Sequence, residues 1–228
     1  MTPEWRPSPN FGDRKDGLRP ELVVLHYTAM ADCEAACRAL SNPETEVSAH
    51  YLIREDGHVV QLVDERKRAW HAGAGTWRGA GDVNSRSIGI EMSNTGFVPF
   101  PNGLMDGLER LLEGVLGRWG IGPAGVIAHS DFAPGRKIDP GRRFDWQRLA
   151  RQGLAVWPEF GDAAADAGRF ARAAVRFGYP ADVDDDTRLA AFRLRFNPGA
   201  EGGVTGRDVA MAEALADAYG IDRGAAGA

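Results

Sequence analysis

Short apolar runs and helical stripes alternate through the first two thirds of the chain. Residues 22–25, Leu-Val-Val-Leu, form a β-branched run that predicts a buried strand ending at His26. Asp32 can cap a helix reaching about Leu40. Residues 49–53 and 58–63 read as two strands joined by the turn Glu55-Asp56-Gly57. Residues 70–87, rich in Gly, Trp and polar side chains, read as a long surface loop, a feature that in compact domains often carries function. Residues 88–92 predict another strand. Asn102 then opens a helix in which Leu104, Leu108, Leu111, Leu112, Val115, Leu116 and Trp119 recur at helical spacing, and Gly120 closes it. Residues 126–128 predict a strand ending at His129. A Pro/Gly-braced loop follows from Ser130 to Arg143, and residues 144–152 look helical. Strands alternating with helices predict an α/β unit, a central mixed β-sheet flanked by helices, over residues 1–158.

From Glu159 the pattern changes to three amphipathic stripes. Phe170, Ala174 and Phe177 form the first. Leu189, Phe192 and Phe196 form the second, behind Asp184 to Asp186. Val209, Ala212, Leu215 and Tyr219 form the third, behind Thr205. Residues 159–228 therefore predict a small three-helix domain. This region holds 12 acidic residues against 8 arginines and has no Trp, His, Lys or Cys. Its aromatic residues fall on the stripes, so they are expected to fill its own core rather than to stack on sugar.

Composition narrows the class. With 228 residues, 43% hydrophobic and 26% charged, the chain is an ordinary globular one, which excludes disorder and coiled coil as whole-chain readings. A net charge of −5 speaks against nucleic acid as a partner, because phosphate neutralisation needs a basic face. No apolar run reaches the roughly 18 residues of a membrane span. Cys33 and Cys37 are the two cysteines, too few for a disulfide framework or a Cys-rich zinc module, and they read as small buried apolar residues. Met1 to Arg6 lack a signal-like apolar segment, so the expectation is a cytoplasmic protein, or a periplasmic one if an export signal has been removed. Only three of the 27 basic residues are lysines, Lys15, Lys67 and Lys137, which marks each for attention.

The candidate chemistry centres on histidines. There are five: His26, His50, His58, His71 and His129. His26 and His129 end predicted buried strands, where α/β folds place their ligands. Asp139 lies in the braced loop after His129. Two imidazoles and one carboxylate are a known zinc set that leaves a coordination position open for water. His50 and His71 are rival ligands on spacing alone. Glu91, on a short apolar strand, is costly there unless paired or protonated, and it reads as a salt-bridged residue or as a general base of raised pKa. Lys137 reads as a surface lysine or as a cation that stabilises an oxyanion.

Six segments, in order, carry a resemblance. They are Leu-His-Tyr-Thr-Ala (25–29), Ser-Ala-His-Tyr-Leu-Ile (48–53), Arg-Ala-Trp-His-Ala-Gly (68–73), Asn-Ser-Arg-Ser-Ile-Gly-Ile-Glu (84–91), Ile-Ala-His-Ser-Asp (127–131) and Gly-Arg-Lys-Ile-Asp-Pro-Gly (135–141). Together they resemble the zinc N-acetylmuramoyl-L-alanine amidases of the anhydromuropeptide-recycling type, over roughly residues 20–157. Phage amidases and peptidoglycan recognition proteins are more distant relatives. The resemblance implies hydrolysis of the amide between N-acetylmuramic acid, or its 1,6-anhydro form, and L-alanine. It implies a zinc ion on His26, His129 and Asp139, a base at Glu91, an oxyanion-stabilising lysine at Lys137, and substrate-groove positions at Tyr51, His71 and Asn84. The partners it implies are anhydromuropeptides or peptidoglycan itself. A non-catalytic peptidoglycan-binding protein and a zinc endopeptidase acting within the stem peptide are the alternatives.

The C-terminal region, through Phe177-Gly178-Tyr179 and residues 190–196, is similar to a three-helix peptidoglycan-binding module. The expectation is that it packs on the catalytic part and chiefly adds buried area. Its removal is then expected to change the rate on small muropeptides by no more than several-fold.

Overall fold

The computed structural model describes residues 2–30 and 32–221. Its centre is a six-stranded mixed sheet. The strands are β1 (Glu4–Trp5), β3 (Leu22–Tyr27), β4 (Tyr51–Ile53), β5 (Val59–Gln61), β7 (Ser87–Met92) and β8 (Val126–Ala128), in the order β1-β5-β4-β7-β3-β8. Only β4 and β5 run antiparallel, as the hairpin predicts; β1–β5, β4–β7, β7–β3 and β3–β8 are parallel pairs. A separate two-stranded ribbon pairs β2 (Phe11–Asp13) with β6 (Lys67–Ala69).

The helices are α1 (Cys33–Ser41), α2 (Val83–Arg86), α3 (Asn102–Trp119), α4 (His129–Phe132), α5 (Trp146–Arg151), α6 (Ala167–Phe177), α7 (Asp185–Phe196) and α8 (Gly206–Tyr219). Their ends follow local chemistry. The Asp32 side chain accepts the Glu34 N–H at the start of α1. Gly120 closes α3 in the left-handed conformation, φ 66°, and its N–H returns to Leu116 O. Asn102 turns out to be the first helical residue rather than the cap, which is Pro101. Asp166, Asp184 and Thr205 cap α6, α7 and α8 through their side chains. Among the described residues no helix is long and apolar enough to cross a membrane.

Side-chain alternation along the strands sends two cores to opposite faces of the sheet. Val23, Leu25, Ile88 and Ile90 meet Leu104, Leu108, Leu112 and Val115 of α3. Leu22, Val24 and Ile127 face the other way. There they join one apolar cluster with Phe170, Phe177, Phe192, Phe196, Val209 and Leu215 of the three C-terminal helices. Each fully buried Phe contributes roughly 1.5–3 kcal/mol to this junction. Trp77, from the loop after β6, sits in it edge-on to Phe177 and Tyr179. The indole approaches the backbone closely at Gly178, where a Cβ would lie 2.8 Å from the ring. The free cysteines Cys33 and Cys37 are buried in a third, smaller cluster.

The predicted loop at residues 70–87 contains the short helix α2, and the predicted loop after His129 begins with α4. Both are single turns of four residues, too short for a 3.6-residue period to register.

Candidate metal centre

His26 lies inside β3, not after it, and its register partner on the parallel neighbour β7 is Glu91. Both side chains therefore rise from the same face of the sheet. His129 opens α4, directly after β8, the other neighbour of β3. Asp139 comes from the loop beyond and is tied back by the Ser130 N–H to its carbonyl at 3.1 Å. These elements bring His26, His129 and Asp139 together, buried, with the Asp139 Oδ2 2.8 Å from His26 Nδ1 and 3.0 Å from His129 Nδ1.

The hydrogen bonds around the two imidazoles decide which nitrogen of each holds its proton. His129 Nε2 faces the Ala72 carbonyl at 2.9 Å, which can only accept, so Nε2 carries the proton. The Ser87 hydroxyl donates to Val83 O at 2.6 Å, so its oxygen accepts from His71 Nε2 at 3.2 Å. His71 is buried, and desolvation, with the neighbouring His26 adding to it, pushes its pKa well below the usual imidazole range. His71 is therefore neutral, its Nδ1 is a bare acceptor, and His26 Nε2 donates to it across 3.0 Å. Both Nδ1 atoms of the inner pair face the same carboxylate oxygen of Asp139. Burial holds the His129 pKa down to about 4, so its imidazole is neutral at neutral pH. Two imidazole nitrogens and one carboxylate oxygen, buried and clustered within 4.8 Å of one another, are a donor set that fits a divalent metal of the zinc type.

The surrounding cavity has a volume of about 550 Å³ and is lined by Glu91, Lys137, His71, Trp70, Met30 and Ile138 among others. Glu91 is half-buried, and its Oε2 is buried with no hydrogen-bond partner. Burial, with Asp139 adding to it and His26 and Lys137 opposing, pushes its carboxyl up to about 7. Lys137 is exposed on the rim. Arg136 beside it donates to Ala72 O at 2.7 Å and also to Ala74 O, pinning the loop that carries His71.

Of the other sequence-derived positions, His71 lines the cavity and Tyr51 and Asn84 do not. Tyr51 does not line the cavity. Its register partner is Ile90, so it points to the α3 face of the sheet, opposite to Glu91, and donates its hydroxyl to Glu65 at 2.6 Å. Arg118 and Trp119 of α3 donate to the same Glu65. Asn84 is also outside the cavity wall. Its Oδ1 accepts the backbone N–H groups of His71 and Ala72 at 3.0 and 2.8 Å and shapes the loop. His71 does line the cavity, but as the partner of His26. The rival His50 accepts the Gly89 N–H at Nδ1 and meets Lys67 O at Nε2, with burial pushing its pKa down to about 3. His58 lies at the surface against Glu4. Ser87 and Arg136 also belong to the site; both stand inside the motifs at 84–91 and 135–141, where nothing in the pattern singles them out for a role.

The geometry has counterparts in known proteins. Residues 16–142 match the family model Amidase_2, N-acetylmuramoyl-L-alanine amidase. The N-acetylmuramoyl-L-alanine amidase AmiD of Escherichia coli is 36% identical over 90% of this chain and 85% of its own length. The 1,6-anhydro-N-acetylmuramyl-L-alanine amidase AmpD of Enterobacter cloacae is 35% identical, covering 63% of this chain and 86% of its own. The solved complex of the E. coli AmiD with anhydro-N-acetylmuramic acid-L-Ala-D-gamma-Glu-L-Lys superposes with a TM-score of 0.82, covering 93% of this chain and 99% of that one at 31% identity. The chain belongs to the N-acetylmuramoyl-L-alanine amidase family and is a hydrolase of that type.

Proposed function

We propose that this enzyme hydrolyses the amide between 1,6-anhydro-N-acetylmuramic acid and the L-alanine of soluble muropeptides, using a zinc ion held by His26, His129 and Asp139. The observation that carries the metal assignment is the buried cluster of His26, His129 and Asp139, with both Nδ1 atoms on one Asp139 oxygen and both Nε2 atoms turned to outer partners, His71 and Ala72 O. The anhydro substrate is favoured by the likeness to AmpD, a 1,6-anhydro-N-acetylmuramyl-L-alanine amidase, and to AmiD in complex with an anhydro-N-acetylmuramic acid peptide.

When bound, zinc supplies a Lewis acid and lowers the pKa of water toward about 7. The chain's own residues supply the rest. Glu91, with a free Oε2 and a carboxyl near neutrality, takes a proton from the attacking water and delivers it to the leaving amine of L-alanine. Lys137, on the same cavity, is the cation for the oxyanion that develops on the lactyl carbonyl. His71 holds the proton on His26 Nε2 and so keeps Nδ1 a ligand. All the residues that act on metal and substrate lie in the first domain, residues 1–158, and helices α6 to α8 of the second, residues 159–228, pack on it. A cytoplasmic enzyme that recycles wall fragments is the reading that goes with a soluble substrate.

His26→Ala and Asp139→Ala are expected to lose both metal and activity with the fold retained. Full zinc occupancy in either variant, read by elemental analysis, overturns the ligand assignment. Mass spectrometry of products from soluble anhydromuropeptide and from purified sacculi separates recycling from wall hydrolysis. Cleavage within the stem peptide instead would identify an endopeptidase, and binding without any cleavage a recognition protein.

A further inference from the structure

Asp131 sits two residues beyond His129 on α4, and three donors meet on its carboxylate. Its Oδ2 accepts the Ala128 N–H at 2.9 Å, which closes the turn that presents His129. The other two donors come from the C-terminal helical region. The Tyr179 hydroxyl donates to Oδ1 at 2.7 Å, and Arg195 Nη1 of α7 donates to Oδ2 at 2.7 Å. The side chains of Asp131 and Arg195 are both 0% exposed. The guanidinium also lies over the Trp146 ring of α5 at 4.0 Å and over Phe196 at 4.7 Å. One arginine therefore ties α7 to both helices that follow the catalytic strand β8.

A buried ion pair is a poor stabiliser, because desolvation cancels most of the attraction and an apolar trio of similar volume does as well. What this pair supplies is a fixed geometry: Arg195, clamped against the Trp146 and Phe196 rings, aims Nη1 at Oδ2 while its Nε and Nη2 find no partner, and Tyr179 holds Oδ1. Here the geometry is that of the Ala128–His129 backbone. The His129 ring is held from the same side, stacked on Phe132 with ring centroids 5.0 Å apart and 20° between planes. Phe132 in turn belongs to the apolar cluster of the C-terminal helices. Both the backbone and the ring of His129 thus rest on contacts that lead into residues 170–216.

We propose that Arg195 and Tyr179 are positioning residues for the metal ligand His129, acting through Asp131, so that the C-terminal helices are part of the catalytic centre and not an appended binding module. This rests on the zinc reading of His26, His129 and Asp139. It also stands against the expectation that removing the helices changes the rate by no more than several-fold, since removal strips Asp131 of both side-chain donors.

The test uses full-length protein and reads the metal directly. Zinc affinity is measured by chelator competition, and the visible bands of the cobalt-substituted protein report the ligand geometry. Arg195→Met, which keeps length and loses charge, is expected to weaken zinc binding by 10- to 100-fold, the usual effect of losing an outer-shell partner, and to alter the cobalt bands. Arg195→Lys is expected to recover part of both. Tyr179→Phe deletes one hydroxyl and leaves packing intact, so it serves even if Arg195→Met does not fold. It is expected to alter the cobalt bands in the same sense and to lower kcat with KM nearly unchanged. Wild-type zinc affinity and cobalt bands in folded Tyr179→Phe, or in folded Arg195→Met, overturn the inference. Wild-type protein that takes up no zinc overturns the metal reading itself, and the inference with it.

Discussion

His26 Nε2 and His71 Nδ1 face each other across 3.0 Å, and the proton between them belongs to His26. That assignment follows from the far side of His71, where Ser87 accepts because its own hydroxyl is spent on Val83 O. Room for the His71 ring exists because residue 89 is glycine: a Cβ there would lie 2.4 Å from the imidazole.

Removing this support should cost metal affinity without removing a ligand. His71→Ala is expected to weaken zinc binding by roughly 10- to 100-fold. Gly89→Ala, which displaces the ring, should give the same signature from a residue that touches no metal. Chelator competition reads both. Unchanged affinity in the two variants would show that Asp139 alone orients His26.

Glu91→Gln tests the base. Glutamine is nearly isosteric and Glu91 is not among the three clustered donors, so zinc should be retained. The rate should fall by about 10²–10⁴, the usual worth of a general base. Near-normal turnover would assign the proton transfer to another group.

The same residue carries a pH signature in the metal-free protein. Burial raises its pKa from 4.5 to about 7, so between those values the unfolded chain releases a proton that the folded one keeps. Stability is therefore lost as pH rises through this window and levels off above about 7. The advantage of Glu91→Gln over wild type in unfolding free energy, read by denaturant titration, should grow from pH 4.5 to 7, reaching about one to three kcal/mol, and then stay flat. A difference independent of pH across this range rejects the shift.

Lys137→Ala should keep zinc and lose roughly 10²–10³ in kcat, as for a missing oxyanion donor, with KM changed little. A rise in KM at constant kcat would make Lys137 a substrate-binding group instead.

Phe192→Ala probes the junction between sheet and C-terminal helices. The ring is fully buried in the cluster that also holds Val24 and Ile127. A loss of about 3–5 kcal/mol is expected, in a single unfolding transition followed by both near- and far-ultraviolet circular dichroism. Two separated transitions would show that the helices fold apart from the sheet.

Much of this protein is decided locally. The β-branched run at residues 22–25, the α3 stripe and the three C-terminal stripes announce themselves by period, because burying one face of a strand or helix needs apolar residues at fixed spacing. The six motifs carry the family, and with it His26, His129, Asp139, Glu91 and Lys137 as named candidates. What local pattern does not hold is direction and company. Tyr51 stands in a family motif, yet its parity on β4 turns it to the α3 face, and parity relative to Glu91 is a matter of register between strands. Strands of two or three residues, such as β1 and β2, are too short to show alternation. The proton order along Ser87, His71 and His26, and the meeting of Arg195 with Asp131, 64 residues apart, join groups with no periodic relation. Only packing of the whole chain brings them within hydrogen-bond reach. There, burial makes an unpaired polar group costly, and the pairing follows from that cost.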